Sequence, residues 1–447
     1  MTDLANLTDA LLTAAKKAGA ESADAIATNG TSVTINVLNG ALEQAERAEG
    51  TDIGLRVLIG KRQACVSASD TSADTITTMA ERAVAMARLA PEDPHIGLAD
   101  PSEITHTWDI AALDLVEDAD EPDAEHFQNA ALEAEAAALS HKGITQADSV
   151  TAGYSNTAIH LAATNGFSGG YGRTSHGLSC VAITGTGTDM ERDYFGDSRS
   201  HAADMVSATE IGHIAAQRTL ERAGATKPPT GSYPVLYDER ISSGLIGHLL
   251  QAANGASIAR GSSWLRDRLG EEVLPQGITL TEDPHRARIR GSKPFDAEGL
   301  ATRPRNIVEN GTLMGWTLDL ATARKLGMKS TASAARGTGG PPSPSTGNVT
   351  MTQGDKSRED LIRDMGTGLL VTSLIGSTIN PTTGDYSRGA SGFWVENGEI
   401  TYPVTECTIA GNLHDMLATL IPANDARAHL SRVIPSLLVE SLTIAGE

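Results

Sequence analysis

Near the start of the chain, apolar residues recur at Leu4, Leu7, Leu11 and Ala15, the spacing of one helical face. The next stretch, DAIATNGTSVTINVLNGALEQAERAEGTDIGLRVLIGKRQACVSASD, alternates apolar and polar positions instead. Asn29-Gly30 and Asn39-Gly40 punctuate it, which predicts hairpins. Helical spacing returns from about Asp74 to Leu89, with Met79, Ala83, Val84 and Met86 as its apolar positions. A Pro-rich polar connector, APEDPHIGLADPSE, follows. The order then recurs: a helix near Asp123 to Leu139, alternating segments from Thr151 to Thr188, and a long helix from about His201 to Ala223. The linker GATKPPTGSYP, beginning at Gly224, marks the main boundary. Beyond it lie short strands such as PVLYD, NVTMTQGD and SGFWVENGEITYPV, with short helices near Gly244, Glu359 and Asn412. The loop Gly337 to Gly347, GTGGPPSPSTG, is expected to be mobile.

These elements predict an α+β chain. Its N-terminal α/β region is built of helix–strands–helix units, and its C-terminal domain is largely antiparallel β with short helices. The predicted domains are residues 1–110, 111–227 and 228–447. A chain of 447 residues is too long for one core, since single cores stop growing near about 250–300 residues. No fixed-period repeat of solenoid length is present.

A formal net charge of −21 repels phosphate backbones and anionic membranes, so nucleic acid is not an expected partner. No run of about 18 apolar residues occurs, so no membrane span is expected. The N-terminus lacks a basic start followed by an apolar block, and a cytoplasmic location is expected. Cys65, Cys180 and Cys407 are odd in number and far apart, which fits buried thiols in a reducing compartment.

The chemistry-bearing motifs are sparse. His248 sits alone in GLIGHLLQAANG, residues Gly244 to Gly255, and none of the 12 histidines is followed by Glu. One histidine cannot hold a zinc ion, so its plain reading is a core or interface residue. DMERDYFGDSRSH, Asp189 to His201, lacks the ligand spacing of a calcium loop and reads as a solvated connection into a capped helix. Gly166-Phe167-Ser168-Gly169-Gly170 matches G-x-S-x-G by letters, but an alternating stretch follows it where a hydrolase needs a helix. The Gly337 loop lacks the Lys-Ser/Thr end and following helix of a phosphate cradle.

TGDYSRGASGFWVENGEITYPV, Thr383 to Val404, carries more. Asp385, Tyr386, Ser387 and Arg388 stand among glycines at a strand entrance, where another backbone could approach closely. Two readings stand: Asp385, Tyr386 and Arg388 wall a peptide-binding groove or partner interface, or an Asp385–Arg388 pair closes a tight turn.

GDYSRGASGFWVENGEITYPV, TIAGNL (Thr408 to Leu413), LDLATARKLGMKST (Leu318 to Thr331), PFDAEG (Pro294 to Gly299) and GLIGHLL resemble the TldD/PmbA family over nearly the whole chain, and its PmbA (TldE) branch most. The resemblance implies a cytoplasmic heterodimer of a TldD-type with a TldE-type chain, acting as a zinc metallopeptidase. Such pairs degrade unfolded peptides or trim modified peptide precursors; an older family label is modulator of DNA gyrase. TldD-type chains carry H-E-x-x-x-H on the helix matching Gly244 to Gly255, and a Cys ligand near the C-terminus. Carried over, the first His is His248, the Glu position is Leu249, the second His position is Ala253, and the Cys position falls near Ile434. A zinc hydrolase needs about three protein ligands and a base. The resemblance therefore implies a non-catalytic subunit with no metal or cofactor of its own and zinc in the TldD-like partner; a homodimer in that partner's absence is left open. The rival readings are an independent peptidase or hydrolase with another site, and a binding or scaffold protein.

Overall fold

The computed structural model describes residues 3–447. Its N-terminal part contains β1 (Ser22–Leu38), β2 (Ala41–Ile59), β3 (Arg62–Ala68), β4 (Ile144–Ala163), β5 (Ser168–Thr184) and β6 (Glu191–Arg199). The helices around them are α1 (Leu4–Ala18), α2 (Ala73–Leu89), α3 (Ala124–Leu139) and α4 (Ala208–Glu221). All six strands join in one antiparallel sheet of order β3-β2-β1-β4-β5-β6. The two helix–strands–helix sections therefore meet edge to edge through β1 and β4. Leu11 and Ala15 of α1 pack with Met79 and Ala83 of α2 over the first half of the sheet. Phe127 and Ala131 of α3 pack with Ile211 and Ala215 of α4 over the second half.

Local chemistry sets most of these boundaries. Asp3 accepts the Ala5 amide at the start of α1, and Gly19, at φ 99°, ends it in a left-handed cap. Asn39 and Gly40 take φ of 53° and 73° and turn β1 into β2, as their letters predict. Asn29-Gly30 makes no turn. It lies inside β1, opposite Thr51 and Gly50 on one side and Ala158 and Thr157 on the other. Two continuous ladders outweigh the local turn preference there. The helix expected from His201 begins later: Ala202–Asp204 is one tight turn, and α4 starts only where Ser207 accepts the Glu210 amide.

The C-terminal part contains β7 (Gly231–Tyr237), α5 (Glu239–Ala252), β8 (Leu280–Glu282), β9 (Arg305–Glu309), β10 (Thr312–Leu313), β11 (Ala334–Ala335), β12 (Ser343–Pro344) and β13 (Val349–Met351). These are followed by β14 (Gly368–Ile379), β15 (Asp385–Glu396), β16 (Glu399–Asn412), β17 (Ile421–Pro422), β18 (Arg432–Val433) and β19 (Leu437–Ala445). One sheet runs β16-β15-β14-β7-β19-β17, and β16 also pairs with β19, closing the sheet on itself. A smaller sheet runs β10-β9-β8-β13-β18. Most pairings are antiparallel; β7 with β14 and β13 with β18 are parallel. The fold is thus α+β. Between these sheets and α5 lies the largest core, with Tyr237, Leu249, Trp394 and Leu437 among its buried members.

The Gly337 to Gly347 loop, expected to be mobile, is held in place. Its flanks pair as β11 and β12, and Thr338 packs so close to Gly54 of β2 that a Cβ there would collide with the Thr338 backbone. Arg336, just before it, is buried against Asp24 of β1. The loop is rich in Gly and Pro because it seats on a sheet, which composition alone does not distinguish from disorder.

Candidate functional site

Strand β7 leads directly into α5, and Asp238 fixes the junction. Its carboxylate accepts the Arg240 amide at 3.1 Å, the Arg240 side chain at 2.9 Å and the Arg358 guanidinium at 2.7 Å. Helix α5 then buries Leu245, Ile246, Leu249 and Leu250. His248 falls on the half-buried side, facing Tyr386 of β15 edge to face at a ring-centroid distance of 5.9 Å.

Alternation along β15 sorts the expected groove residues. Tyr386 and Arg388 share one face, and Asp385 points the other way. Asp385 is exposed and bonded to Thr383 Oγ1 at 2.6 Å and Asn412 Nδ2 at 3.1 Å. Those bonds hold its carboxyl below the ordinary range. The Asp385–Arg388 pair considered from the sequence therefore does not form. Strand periodicity puts a residue and its third neighbour on opposite faces, which defeats it.

Four side chains gather instead: His248, Tyr386, Arg388 and Tyr237, the last residue of β7. Tyr237 is fully buried and Tyr386 nearly so. Burial and the neighbouring Tyr386 push the Tyr237 hydroxyl well above its usual pKa. Burial, then the positive charge of Arg388, pushes the His248 imidazole down. His248 Nε2 and Arg388 Nε are buried without a hydrogen-bond partner among the described residues, and Tyr237 Oη makes no bond of good geometry although the Tyr386 hydroxyl stands beside it. Sequence reasoning missed Tyr237; its place directly before the helix-capping Asp238, ahead of the helix with His248, was the available signal.

The positions carried over for a metal site sit together but lack its chemistry. Leu249 and Ala253 are fully buried and Ile434 is 3% exposed, all in the main core. Ile434 is beside α5, where its carbonyl accepts from Ser242 Oγ at 3.3 Å. His248 is the only donor of the four, and its nearest charged neighbour is a guanidinium, which repels a metal cation. A zinc ion does not fit this donor set. Among the described residues, no group of three or more His, Cys, Asp or Glu is placed to hold a metal.

The other motifs remain structural. Ser168 opens β5 with no helix after it. Asp193 of the Asp189 to His201 stretch pairs with Arg240 at 3.4 Å. Cys407 is buried, donates to the Ala390 carbonyl, and is pushed up to about 11 by burial. A separate cleft of about 620 Å³ lies between the N-terminal sheet and the C-terminal part, lined by Ser32, Ser155, Arg218, Arg240 and Arg427. No helix is long and apolar enough to cross a membrane.

Comparison with known proteins adds the following. Residues 23–87, 117–223 and 230–446 match PmbA/TldA metallopeptidase domain 1, central domain and C-terminal domain respectively. Metalloprotease PmbA of Escherichia coli O157:H7 is 35% identical over 99% of this chain and 96% of its own length. The Metalloprotease PmbA homolog of Haemophilus influenzae is 35% identical over 97% of this chain and 94% of its own length. The crystal structure of a protein provisionally described as a modulator of DNA gyrase, from Bacteroides thetaiotaomicron, superposes with a TM-score of 0.91 at 26% identity, covering 99% of this chain and 98% of that one.

Proposed function

The chain belongs to the PmbA/TldD metallopeptidase family, and on that premise we propose that it is the non-catalytic, PmbA/TldE-type subunit of a heterodimeric zinc metallopeptidase. The carrying observation is the chemistry at the carried-over metal position. Leu249, Ala253 and Ile434 fill a hydrophobic core, and Arg388 faces the one remaining histidine. A metallopeptidase needs a metal-bound water and a base, and this position offers one ligand-type side chain, His248, and no carboxylate. The zinc belongs to a TldD-type partner in the cytoplasm, and the substrate is an unfolded or extended peptide. This chain's part is to complete the groove, with Tyr386 and Arg388 in its wall.

The test mixes the purified chain with a TldD-type chain and follows cleavage of unfolded casein. The mixture should elute at heterodimer size and cleave. The chain alone should neither cleave nor hold stoichiometric zinc after tag removal. Chelator-resistant cleavage by this chain alone would overturn the reading.

A further inference from the structure

Among the described residues, eight buried side-chain polar atoms lack a partner, and three of them meet at one place. They are Tyr237 Oη, His248 Nε2 and Arg388 Nε. Leaving one such atom unmet costs about 1–3 kcal/mol, so a cluster of them is rarely left bare. The charge around them is one-sided. Arg388 acts on His248, Tyr237 and Tyr386, and no carboxylate acts on any of those three. His248 and Arg388 are half-buried, so part of each side chain reaches the surface although the orphaned atoms themselves are covered, while Tyr237 is wholly buried beneath them.

We propose that this cluster binds a carboxylate, with Arg388 Nε, the Tyr237 hydroxyl and His248 Nε2 as its hydrogen-bond donors. The inference rests on the reading above that this position holds no metal. The donors select the ligand class. A guanidinium, a phenol and an imidazole N–H each give one hydrogen bond here, and two carboxylate oxygens offer about four lone pairs to receive them. One uncompensated positive charge calls for a monoanion, whereas a phosphate dianion would leave net negative charge beside two buried tyrosines. An anion would thus sit where the family resemblance puts a metal cation, with the Arg388 guanidinium as the positive charge. The carboxylate comes either from a peptide's C-terminal end or from a small free acid.

Calorimetric titration of the isolated chain tests this with three probes: acetate, acetyl-trialanine with a free C-terminus, and the same peptide as its C-terminal amide. The acid peptide should bind at least about tenfold more tightly than the amide, as expected for a charge-assisted bond to arginine. Acetate binding as tightly as the acid peptide assigns the site to small acids; weaker acetate binding assigns it to peptide ends. Arg388→Gln should erase the preference, and Arg388→Lys should keep part of it. Tyr237→Phe, which removes only the hydroxyl, should weaken acid binding and leave the amide unchanged, and it serves if Arg388→Gln does not fold. Equal binding of acid and amide, or no binding of either at millimolar concentration by a folded chain, overturns the proposal. The partner is absent from these titrations, so failure of the heterodimer reading leaves their outcome intact. Zinc analysis of the same sample shows separately whether the metal-free premise has failed.

Discussion

Two of the molecule's buried clusters of charged and polar side chains are built on opposite plans. At the junction of the N-terminal sheet with the C-terminal part, Asp24 of β1 stands between Arg56 of β2 and Arg336, with Arg56 Nε at 2.7 Å. Each charge there touches an opposite one, although Arg336 Nη2 is left without a partner among the described residues. Burial pushes the Asp24 carboxyl up, but the two guanidiniums outweigh it and hold the carboxyl below its ordinary range. Around His248 the reverse holds: one guanidinium, no acid, and three orphaned atoms. A cluster whose charges all meet counter-charges holds parts of a fold together, whereas one left open is available to something from outside. Polar residues are buried at both places, so burial alone does not separate the two roles; the balance of partners does.

The largest effect comes from breaking the closed cluster. Asp24→Ala would leave Arg56 and Arg336 buried and unpaired, with an expected loss of about 3–5 kcal/mol in urea unfolding. The same pair makes the chain acid-sensitive. The folded-state pKa of Asp24 is depressed, so its stabilisation is present above about pH 4 and is lost as pH falls through the lower folded value. Stability of Asp24→Ala should therefore depend less steeply on pH below about pH 4 than that of the parent chain. An equally steep acid limb in both would show that this junction does not set it.

Next in size is an attempt to rebuild the metal motif. Leu249 is fully buried in the main core, so Leu249→Glu forfeits its packing and buries a carboxyl without a partner. A loss of at least about 2–5 kcal/mol is expected, the range for truncating a buried leucine. Adding Ala253→His should not restore zinc binding, because Arg388 still faces His248. Stoichiometric zinc in the folded double mutant would show that the position is only dormant.

Much of this was legible in the letters. The helix spacing of α1 and α2, the Asn39-Gly40 turn and the α+β class all followed from local periodicity and turn chemistry. What local rules missed depends on partners distant in sequence. Asn29-Gly30 became strand because β1 gained a neighbour more than a hundred residues away, at Ala158 and Thr157. The Gly337 loop became ordered because β2 offered a glycine to seat it. At the candidate site, the letters and the family resemblance pointed to His248, Tyr386 and Arg388. Asp385 looked equivalent to its neighbours until strand alternation turned it away. Tyr237 carried no motif at all; its role appears only when β7 is laid beside β14 and β19.

A smaller effect tests the open cluster directly. Arg388→Ala removes a cation that has no acidic partner, so no stranded counter-charge is left behind. Its cost in unfolding free energy should stay within about 1 kcal/mol, well below that of Asp24→Ala. A loss as large as at the junction would mean that Arg388 is a structural prop.

The smallest expected effect is at His248, and its sign separates the two clusters. Burial, and then Arg388, depress its imidazole pKa in the folded chain. By about pH 8, well above the ordinary imidazole value, both folded and unfolded chains carry it neutral, so it makes no pH-dependent contribution there. As pH falls through that value, the unfolded chain takes up the proton first and the folded chain resists, so stability falls. His248→Gln removes that loss while keeping a polar side chain of similar reach. Its unfolding midpoint should therefore match the parent at pH 8 and exceed it slightly at pH 5, where Asp24 remains ionised in both. Acetate or a peptide acid at the open cluster should shrink the difference at pH 5, because a carboxylate beside the imidazole favours its protonated form and offsets Arg388. If His248→Gln is instead less stable at pH 5 than the parent, the histidine is protonated in the folded chain, and an acid other than an added ligand already balances it.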